Sequence, residues 1–197
     1  MAKVLYSLEE ISLVELLLSG AIGVVPTDTV YGLVARASDP KAVAQLYHAK
    51  HRVHKPGTII AADITQLLTL GIEYRYLVAA EQFWPGPVSV ETPHAIGYLH
   101  QGTGRQALRI PDDENVRGLL AKTGALQTTS ANAPGYPPAT TLAEAQAYFG
   151  DVVDFYVDGG DLSGRKPSTI VRCDEHGLLE IIRRGAVDIS DIKKRSA

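Results

Sequence analysis

The sequence has little cysteine, little tryptophan, no surplus of positive charge and no long hydrophobic run. Its one cysteine, Cys173, cannot form an internal disulfide, and the cysteine and histidines lack the spacing of a zinc site. A net charge of -3, from 19 lysines and arginines against 22 acidic residues, excludes a strongly basic nucleic-acid coat and a polybasic membrane anchor. No signal-peptide pattern is present, and no apolar stretch approaches the roughly 18 residues of a membrane span. We therefore expect a cytoplasmic protein that has no membrane partner.

The length and composition are typical of a globular domain with a substantial core. The 197 residues are 45% hydrophobic and 21% charged, and no repeat, low-complexity tract or linker divides them. Because domains average roughly 100 to 200 residues, we expect one domain over residues 1–197.

Short β-branched runs alternate with helical segments along most of the chain. The expected strands are 21–25, 58–62, 88–91, 106–110, 126–129, 155–157, 169–173 and 179–182. Helices are expected from the S-x-x-E box at 7–10 to about 20, from Asp39 and Pro40 to 50, from Asp63 to 70, from 73 to 84, and after Asp112 and Thr141. The last segments read as strand after strand, so the sheet should be mixed and not purely parallel. The predicted fold class is α/β, with a mixed parallel and antiparallel sheet flanked by helices.

Polar clusters recur where the predicted strands end, which is where ligands usually bind in open α/β sheets. There are four of them: 26–32, 50–55, 128–132 and 168–169. In the first, Thr27, Thr29 and Tyr31 can line a pocket for a small polar ligand, although a capped turn with a core tyrosine explains them equally well. In the third, Ser130 and Asn132 can donate to phosphate oxygens or a nucleobase edge, and a local side-chain turn explains them as well.

The cluster at 50–55 concentrates positive charge in an otherwise acidic protein. Polyphosphate binding needs such donors, with Arg52 supplying a planar fork and Lys50 a point charge. The alternative is a solvated helix end that the helix dipole favours. His48, His51 and His54 do not predict a metal site, because the neighbouring cations would repel the ion.

The sequence contains neither a complete P-loop nor a signature of covalent catalysis. The segment 159–166 has the glycine spacing of a P-loop, but Arg165 takes the place of the lysine, and a β-branched strand follows where a helix is required. Ser130 has no G-x-S-x-G around it. Transfer of a phosphoryl or nucleotidyl group needs mainly positioning and charge neutralisation by Arg, Lys and Mg²⁺, so hydroxyls and cations without a triad suit it.

Seven motifs in this order resemble those of the YrdC-like family, the threonylcarbamoyl-AMP synthases of tRNA modification. The matching segments are Pro26–Leu33 (PTDTVYGL), Lys50 with Arg52, Trp84–Pro87 (WPGP), Arg109 with Pro111, Thr129–Asn132 (TSAN), Ser168–Ile170 (STI) and Arg183 with Gly185. They span about residues 20–186, and the resemblance is to the short bacterial form of the family. Three positions depart from the family pattern: Val53 stands where a proline is usual, Pro134 where a serine is common, and Glu91 where an apolar residue is expected.

The resemblance implies a twisted mixed sheet that encloses one positively charged cavity. It also implies a nucleotidyltransferase that converts L-threonine, bicarbonate and ATP, with Mg²⁺, into threonylcarbamoyl-AMP and pyrophosphate. A separate threonylcarbamoyl transferase complex then modifies the adenosine beside the anticodon of certain tRNAs. By position, the family's ATP-binding residues correspond to Lys50, Arg52, Ser130, Asn132 and Arg183, with Lys50 and Arg52 as the catalytic pair. The residues around threonine and the carbamate correspond to Thr27, Thr29, Tyr31, Arg109 and Ser168.

Two alternatives remain open on the sequence. The first is an RNA-binding module of the same fold without synthase activity, in weak contact with tRNA or double-stranded RNA; the net charge of -3 argues against strong, salt-sensitive backbone binding. The second is carbamoyl transfer to another acceptor, as in YrdC-like domains of hydrogenase-maturation proteins. The missing zinc-finger and acylphosphatase-like segments disfavour this second alternative.

Overall fold

One mixed sheet organises the described residues, 1–174 and 179–189, of the computed structural model. The strands in these ranges are β1 Lys3–Leu5, β2 Gly23–Val25, β3 Gly32–Arg36, β4 Thr58–Ile60, β5 Val88–Pro93, β6 Arg105–Arg109, β7 Leu126–Ser130, β8 Phe155–Val157, β9 Thr169–Cys173 and β10 Leu179–Arg183. The helices are α1 Ile11–Leu18, α2 Pro40–Ala49, α3 Ile64–Thr69, α4 Tyr74–Glu81, α5 Gly97–His100, α6 Glu114–Thr123 and α7 Leu142–Phe149.

The strand order is β1-β8-β2-β3-β7-β4-β6-β5-β9-β10. The sheet contains both antiparallel pairs (β2–β3, β3–β7, β4–β7, β5–β6, β9–β10) and parallel pairs (β1–β8, β2–β8, β4–β6, β5–β9). The predicted α/β class with a mixed sheet is therefore confirmed. Antiparallel pairs are not confined to the C-terminal strands, however, because β3 and β7 also pair antiparallel at the centre of the sheet.

Most predicted elements form close to their expected bounds, and three were missed. The missed elements are β1, β3 and the short helix α5. Strand β3 begins at Gly32, directly after the polar segment 26–31. No turn residues mark its start, so the sequence pattern predicts only a polar loop at this point. Its four residues from Gly32 to Ala35 are buried, and burial of this kind produces a strand without the alternating pattern of a half-exposed one.

Helix starts follow the capping chemistry with two corrections. Asp39, Asp63 and Thr141 accept backbone N–H groups of their helices as predicted. At α6 the N-cap is Asp113 and not Asp112, since Asp113 Oδ1 accepts from the N–H groups of Asn115 at 2.9 Å and Val116 at 3.0 Å. The S-x-x-E box at 7–10 folds into a turn before α1, which begins only at Ile11.

Helices cover both faces of the sheet. The largest apolar cluster packs α2, α5 and α7 against one face through residues such as Leu46, Leu99 and Phe149. A second cluster packs α1 and α6 against the other face through residues such as Leu17 and Leu119. A third, smaller cluster includes Cys173, whose thiol pKa burial raises. No helix in the described part of the chain has both the length and the apolar character needed to cross a membrane.

The register of the central strands places short side chains in one row. Thr128 of β7 pairs with Thr58 of β4, Thr58 with Ala107 of β6, and Ala107 with Glu91 of β5. All four residues line the same cavity. The small threonine and alanine side chains leave space above the sheet, and the loops at the ends of β2, β6 and β7 surround that space.

Candidate functional site

The cavity at which most of the predicted site residues meet has a volume of about 280 Å³. Its wall is built from the loop 27–32, the segment 52–58, the ends of β6 and β7, and residues 167–170 and 182–183. Eight of the ten site residues predicted from the motifs line it: Thr27, Thr29, Tyr31, Arg52, Arg109, Ser130, Ser168 and Arg183. The other two, Lys50 and Asn132, lie behind the wall and contact Ser130. Segments far apart in the sequence therefore meet at one place.

The loop after β2 forms a side-chain turn and lines the cavity at the same time. Thr27 Oγ1 donates to the Val30 carbonyl at 2.6 Å and accepts from the Thr29 N–H at 3.2 Å. The two threonine hydroxyls lie 3.0 Å apart, and because the Thr27 hydrogen is used by Val30, Thr29 is the donor of this pair. Both alternatives drawn from the sequence thus hold for this loop: it is a hydroxyl-stabilised turn, and it faces a pocket.

Tyr31 uses its phenol within the protein. The hydroxyl donates to the Gly160 carbonyl at 2.9 Å and accepts from the Gly159 N–H at 2.8 Å. Burial raises the pKa of this phenol. A Cβ at position 159 would lie 2.3 Å from Pro26 Cβ, so only glycine lets the 158–160 loop approach this closely. Tyr31 therefore fixes two loops together, and its hydroxyl has the contacts of a structural group.

Arg109 forms a buried ion pair that the motif analysis did not foresee. Its Nη1 donates to Asp28 Oδ1, and both side chains are buried. Asp28 Oδ2 also accepts the Asp112 N–H at 3.1 Å, so both carboxylate oxygens are used. Arg109 Nε is buried with no hydrogen-bond partner in the described part of the chain. The signal for this pair was available in the sequence, because Asp28 is the one acid in the 26–33 motif and a buried arginine needs a carboxylate.

Lys50 holds the loop that follows β7. Its ammonium donates to the Ser130 carbonyl at 2.8 Å, to Asn132 Oδ1 at 2.6 Å and to the Asn132 carbonyl. Ser130 Oγ donates to the same Asn132 Oδ1 at 2.7 Å. Burial, followed by the nearby charges of Arg52 and Lys55, lowers the pKa of Lys50 to about 8. All three ammonium hydrogens are engaged, so Lys50 and Asn132 shape the wall of the cavity from behind.

Arg52 and Arg183 bring positive charge to the cavity, and neither has a carboxylate partner in the described part of the chain. Three of the five N–H donors of Arg52 are used: Nη1 to Thr129 Oγ1 at 2.5 Å, Nη2 to the Pro56 carbonyl at 2.8 Å and Nε to the Lys55 carbonyl. Arg183 Nη2 donates to the Ser168 carbonyl at 2.6 Å. Burial lowers the pKa of both guanidinium groups, and each also lies near another arginine.

No carboxylate within residues 1–174 and 179–189 forms an ion pair with Arg52, Lys55 or Arg183. Cations gathered in a partly desolvated cavity repel one another, and an anionic ligand relieves that repulsion. The Ser168 hydroxyl lies beside Arg183 and is 2.8 Å from the buried Ser89 hydroxyl. The arrangement is suited to an anion with several oxygens, next to hydroxyls that can orient a small polar molecule.

Glu91, where the motif comparison expects an apolar residue, lies at the edge of the cavity with its own partners. Its Oε1 accepts from Arg105 Nε and from Arg172 Nε, both at 2.9 Å. The Glu91 carboxylate raises the pKa of Arg172 through this hydrogen bond. The acid therefore forms ion pairs with two local arginines and none with Arg52 or Arg183.

Comparison with known proteins agrees with the motifs. The family model of the Sua5, YciO and YrdC proteins, described as "Telomere recombination", matches residues 15–185. A putative threonylcarbamoyl-AMP synthase of Mycobacterium leprae is 34% identical over 189 residues, which cover 92% of this chain and 84% of the relative. The threonylcarbamoyl-AMP synthase of Idiomarina loihiensis is 36% identical over 157 residues, or 74% of this chain and 83% of the relative.

Solved structures show the same fold. A double variant of P. abyssi Sua5 superposes with a TM-score of 0.87 and 27% identity, covering 98% of this chain and 63% of that one. P. abyssi Sua5 complexed with L-threonine gives a TM-score of 0.85 at 27% identity, with 97% of this chain and 60% of that chain covered. The present chain thus spans less than two thirds of the P. abyssi protein. E. coli YciO, at 21% identity and a TM-score of 0.84, shares the fold over 98% of this chain. The chain belongs to the Sua5/YciO/YrdC family.

Proposed function

We propose that this protein is a threonylcarbamoyl-AMP synthase, a nucleotidyltransferase that acts on L-threonine, bicarbonate and ATP. The observation that carries the proposal is the meeting of six of the seven family motifs at one cavity, whose arginines Arg52 and Arg183 have no carboxylate partner in the described residues. The names of the curated relatives support it, and so does the L-threonine complex of P. abyssi Sua5.

The proposed reaction has two bond-forming steps. The amino nitrogen of threonine bonds to the carbon of bicarbonate, and the elements of water leave to give the carbamate. A carbamate oxygen then attacks the α-phosphorus of ATP, and the bond to the β-phosphate breaks with its electron pair going to pyrophosphate. Negative charge grows on the phosphoryl oxygens during the second step, and positioned guanidinium groups stabilise that charge.

We propose that the predicted residues fall into a binding group and a positioning group. Arg52 and Arg183, with Lys55 at the cavity edge, are proposed to contact the phosphates of ATP. Thr29, Arg109 and Ser168 are proposed to face threonine and the carbamate, next to Thr27. Ser130 lies at the boundary and is proposed to contact the nucleotide.

The three remaining residues have hydrogen-bond partners that give them a supporting role. Lys50 and Asn132 hold the loop after β7, and Tyr31 holds the loop at 159–160. We propose that they act on the ligands through these loops, which places Lys50 beside the catalytic group and not within it.

Mg²⁺ is proposed to enter with ATP and not as a resident ion. The carboxylates nearest the cavity, Asp28 and Glu91, already accept hydrogen bonds from arginines. No group of three or more potential metal-binding acids, histidines or cysteines occurs in the described residues. Mg²⁺ commonly binds through substrate phosphates and water, which fits this donor set. The product would pass to a threonylcarbamoyl transferase complex that modifies tRNA.

The test is direct synthesis of the product. The protein is incubated with MgATP, radiolabelled bicarbonate and L-threonine, and the labelled AMP conjugate is separated from free AMP. We expect label in that conjugate only when threonine and ATP are both present. A folded protein that forms no conjugate would contradict the proposal, and binding of double-stranded RNA by that same sample would favour the RNA-binding alternative.

A further inference from the structure

The segment that carries Arg52 is exposed in its middle part and has an unusual backbone conformation. His51 and His54 have positive φ angles of 49° and 52°, a conformation that non-glycine residues rarely adopt. Val53 between them is 73% exposed. Two of the three hydrogen bonds that orient the Arg52 guanidinium go to backbone carbonyls of Lys55 and Pro56 in this same segment. The orientation of the Arg52 guanidinium therefore depends on the groups that hold those two carbonyls in place.

Gly57, at the end of the segment, is held on both sides of its backbone by buried side chains. Its N–H donates to the Tyr47 hydroxyl at 3.1 Å, and its carbonyl accepts from Gln106 Nε2 at 2.8 Å. Tyr47 donates its own hydrogen to the Leu99 carbonyl at 2.7 Å, so its oxygen is free to accept from Gly57. Tyr47 is 4% exposed and Gln106 is 0% exposed.

The backbone of Gly57 also lies directly against a neighbouring strand. A Cβ at this position would lie 2.2 Å from the Thr128 carbonyl, so the residue packs directly on β7. Buried hydrogen bonds of this kind are strong constraints, because leaving either partner unpaired costs about 1–3 kcal/mol. Gly57 is thus a fixed point, and Pro56 and Lys55 precede it by one and two residues, respectively.

We propose that Tyr47 and Gln106 are positioning residues for Arg52. They fix the Gly57 backbone, and through it the Lys55 and Pro56 carbonyls that aim the guanidinium into the cavity. Neither side chain lines the cavity, so neither touches a ligand there. The proposal rests on the proposed function in one respect: it takes the anion that Arg52 contacts to be the ATP phosphates.

The test compares Tyr47→Phe and Gln106→Met with the control Tyr98→Phe. Tyr98 belongs to the same apolar cluster and donates one hydrogen bond to a backbone carbonyl, that of Ala37 at 2.9 Å, but it does not contact residues 55–57. We measure kcat, KM for threonine, thermal melting, and the affinity for inorganic tripolyphosphate by calorimetry. Small displacements of a catalytic group lower rates by up to about 100-fold, so we expect kcat to fall about 10-fold in both test variants.

The same variants should leave KM for threonine within about twofold of wild type and weaken tripolyphosphate binding about fivefold, which corresponds to about 1 kcal/mol. Tyr98→Phe should change neither quantity. Wild-type tripolyphosphate affinity in the folded Tyr47→Phe and Gln106→Met proteins would overturn the proposal. If Tyr47→Phe does not fold, Gln106→Met decides the question.

A double-mutant cycle separates positioning from general stability. In an Arg52→Ala background, Tyr47→Phe should cause no further loss of tripolyphosphate affinity, because the group that it positions is gone. Independent, additive losses would overturn the proposal. Because tripolyphosphate binding needs no catalysis, a wild-type protein that makes no threonylcarbamoyl-AMP would refute the proposed function and still leave the role of Tyr47 and Gln106 measurable.

Discussion

Two regions of the cavity wall differ in whether their positively charged side chains are paired within the protein. In the first, which we call the paired region, Arg109 meets Asp28 and Lys50 meets three oxygens of Ser130 and Asn132. In the second, the open region, Arg52, Lys55 and Arg183 have no carboxylate partner among the described residues.

This difference distinguishes cations that stabilise the folded protein from cations that are available to bind a ligand. A buried cation whose partners are supplied by the protein is part of the folded structure, and removing its partner leaves an uncompensated charge. A cation without such a partner is repelled by the neighbouring cations until an anionic ligand binds. Removing the partner of a cation in the paired region should therefore cost more stability than removing a cation of the open region, whose loss should act mainly on binding and rate.

The largest effect is expected for Asp28→Asn in the paired region. This variant keeps the shape of the side chain but leaves the Arg109 charge buried and unpaired, which costs about 3–5 kcal/mol of unfolding free energy. Urea denaturation measures the loss. The control is Asp112→Asn, because Asp112 is 71% exposed and lies 3.8 Å from Arg117, where a change below about 1 kcal/mol is expected. Equal losses in the two variants would remove the distinction between the regions.

Arg52→Ala tests the open region. We expect synthesis of threonylcarbamoyl-AMP to fall about 100- to 1000-fold, the usual loss when a group that stabilises transition-state charge is removed. The free energy of unfolding should change by less than about 1 kcal/mol, because a repelling charge leaves with the side chain. Pyrophosphate release and thermal melting are measured on the same samples. A loss of several kcal/mol in the free energy of unfolding would assign Arg52 to the paired region instead.

The pH dependence of ATP binding tests Lys50. Because burial lowers the pKa of its ammonium to about 8, the proton is lost as the pH rises through 8 and not near 10.5. Deprotonation removes the charge behind three hydrogen bonds to the loop at 130–132, so we expect ATP affinity to fall about tenfold between pH 7 and pH 9.5. Lys50→Arg stays charged over this range and should show a flat profile. A wild-type profile that is equally flat would show that the charge on Lys50 is not needed to hold the loop.

Glu91→Gln should have the smallest effect and sharpens the boundary of the open region. It releases Arg105 and Arg172, which are part-exposed, so stability should drop by about 1 kcal/mol or less. The added net charge of +1 at the cavity edge should strengthen tripolyphosphate binding by about twofold at low salt, with the gain lost at high salt. Calorimetry at two salt concentrations measures this. A large, salt-independent change would mean that Glu91 contacts the ligand itself.

Local patterns predicted much of the fold. Strands β8 and β9 have the predicted bounds, because each is a short apolar run with polar or turn residues on both sides. Asp39 begins α2 as predicted, because its capping bonds involve residues only two and three positions away. Strand β3 was missed for the opposite reason, since its identity depends on burial between β2 and β7 and not on its own ends.

The candidate site divides in the same way. The motif residues could be recognised from the sequence, because short segments of hydroxyls, glycine and prolines determine their own turns, as the bonds within 27–30 show. Their partners could not be recognised so easily. Asp28 lies 81 residues from Arg109, Lys50 lies 82 from Asn132, and Arg52 lies 77 from Thr129.

The sequence by itself therefore determined the mixed α/β class, most of the caps and turns, and a set of candidate site residues, eight of which line one cavity. Only the tertiary structure decided which cations are neutralised by the protein and which are left for a ligand. The physical reason is range: turns and caps form over two to four residues, whereas charge pairing across the cavity requires the strand order that places β6 and β7 on either side of β4. That order brings Arg109 to Asp28 and Lys50 to Asn132, and it leaves Arg52 and Arg183 facing the cavity.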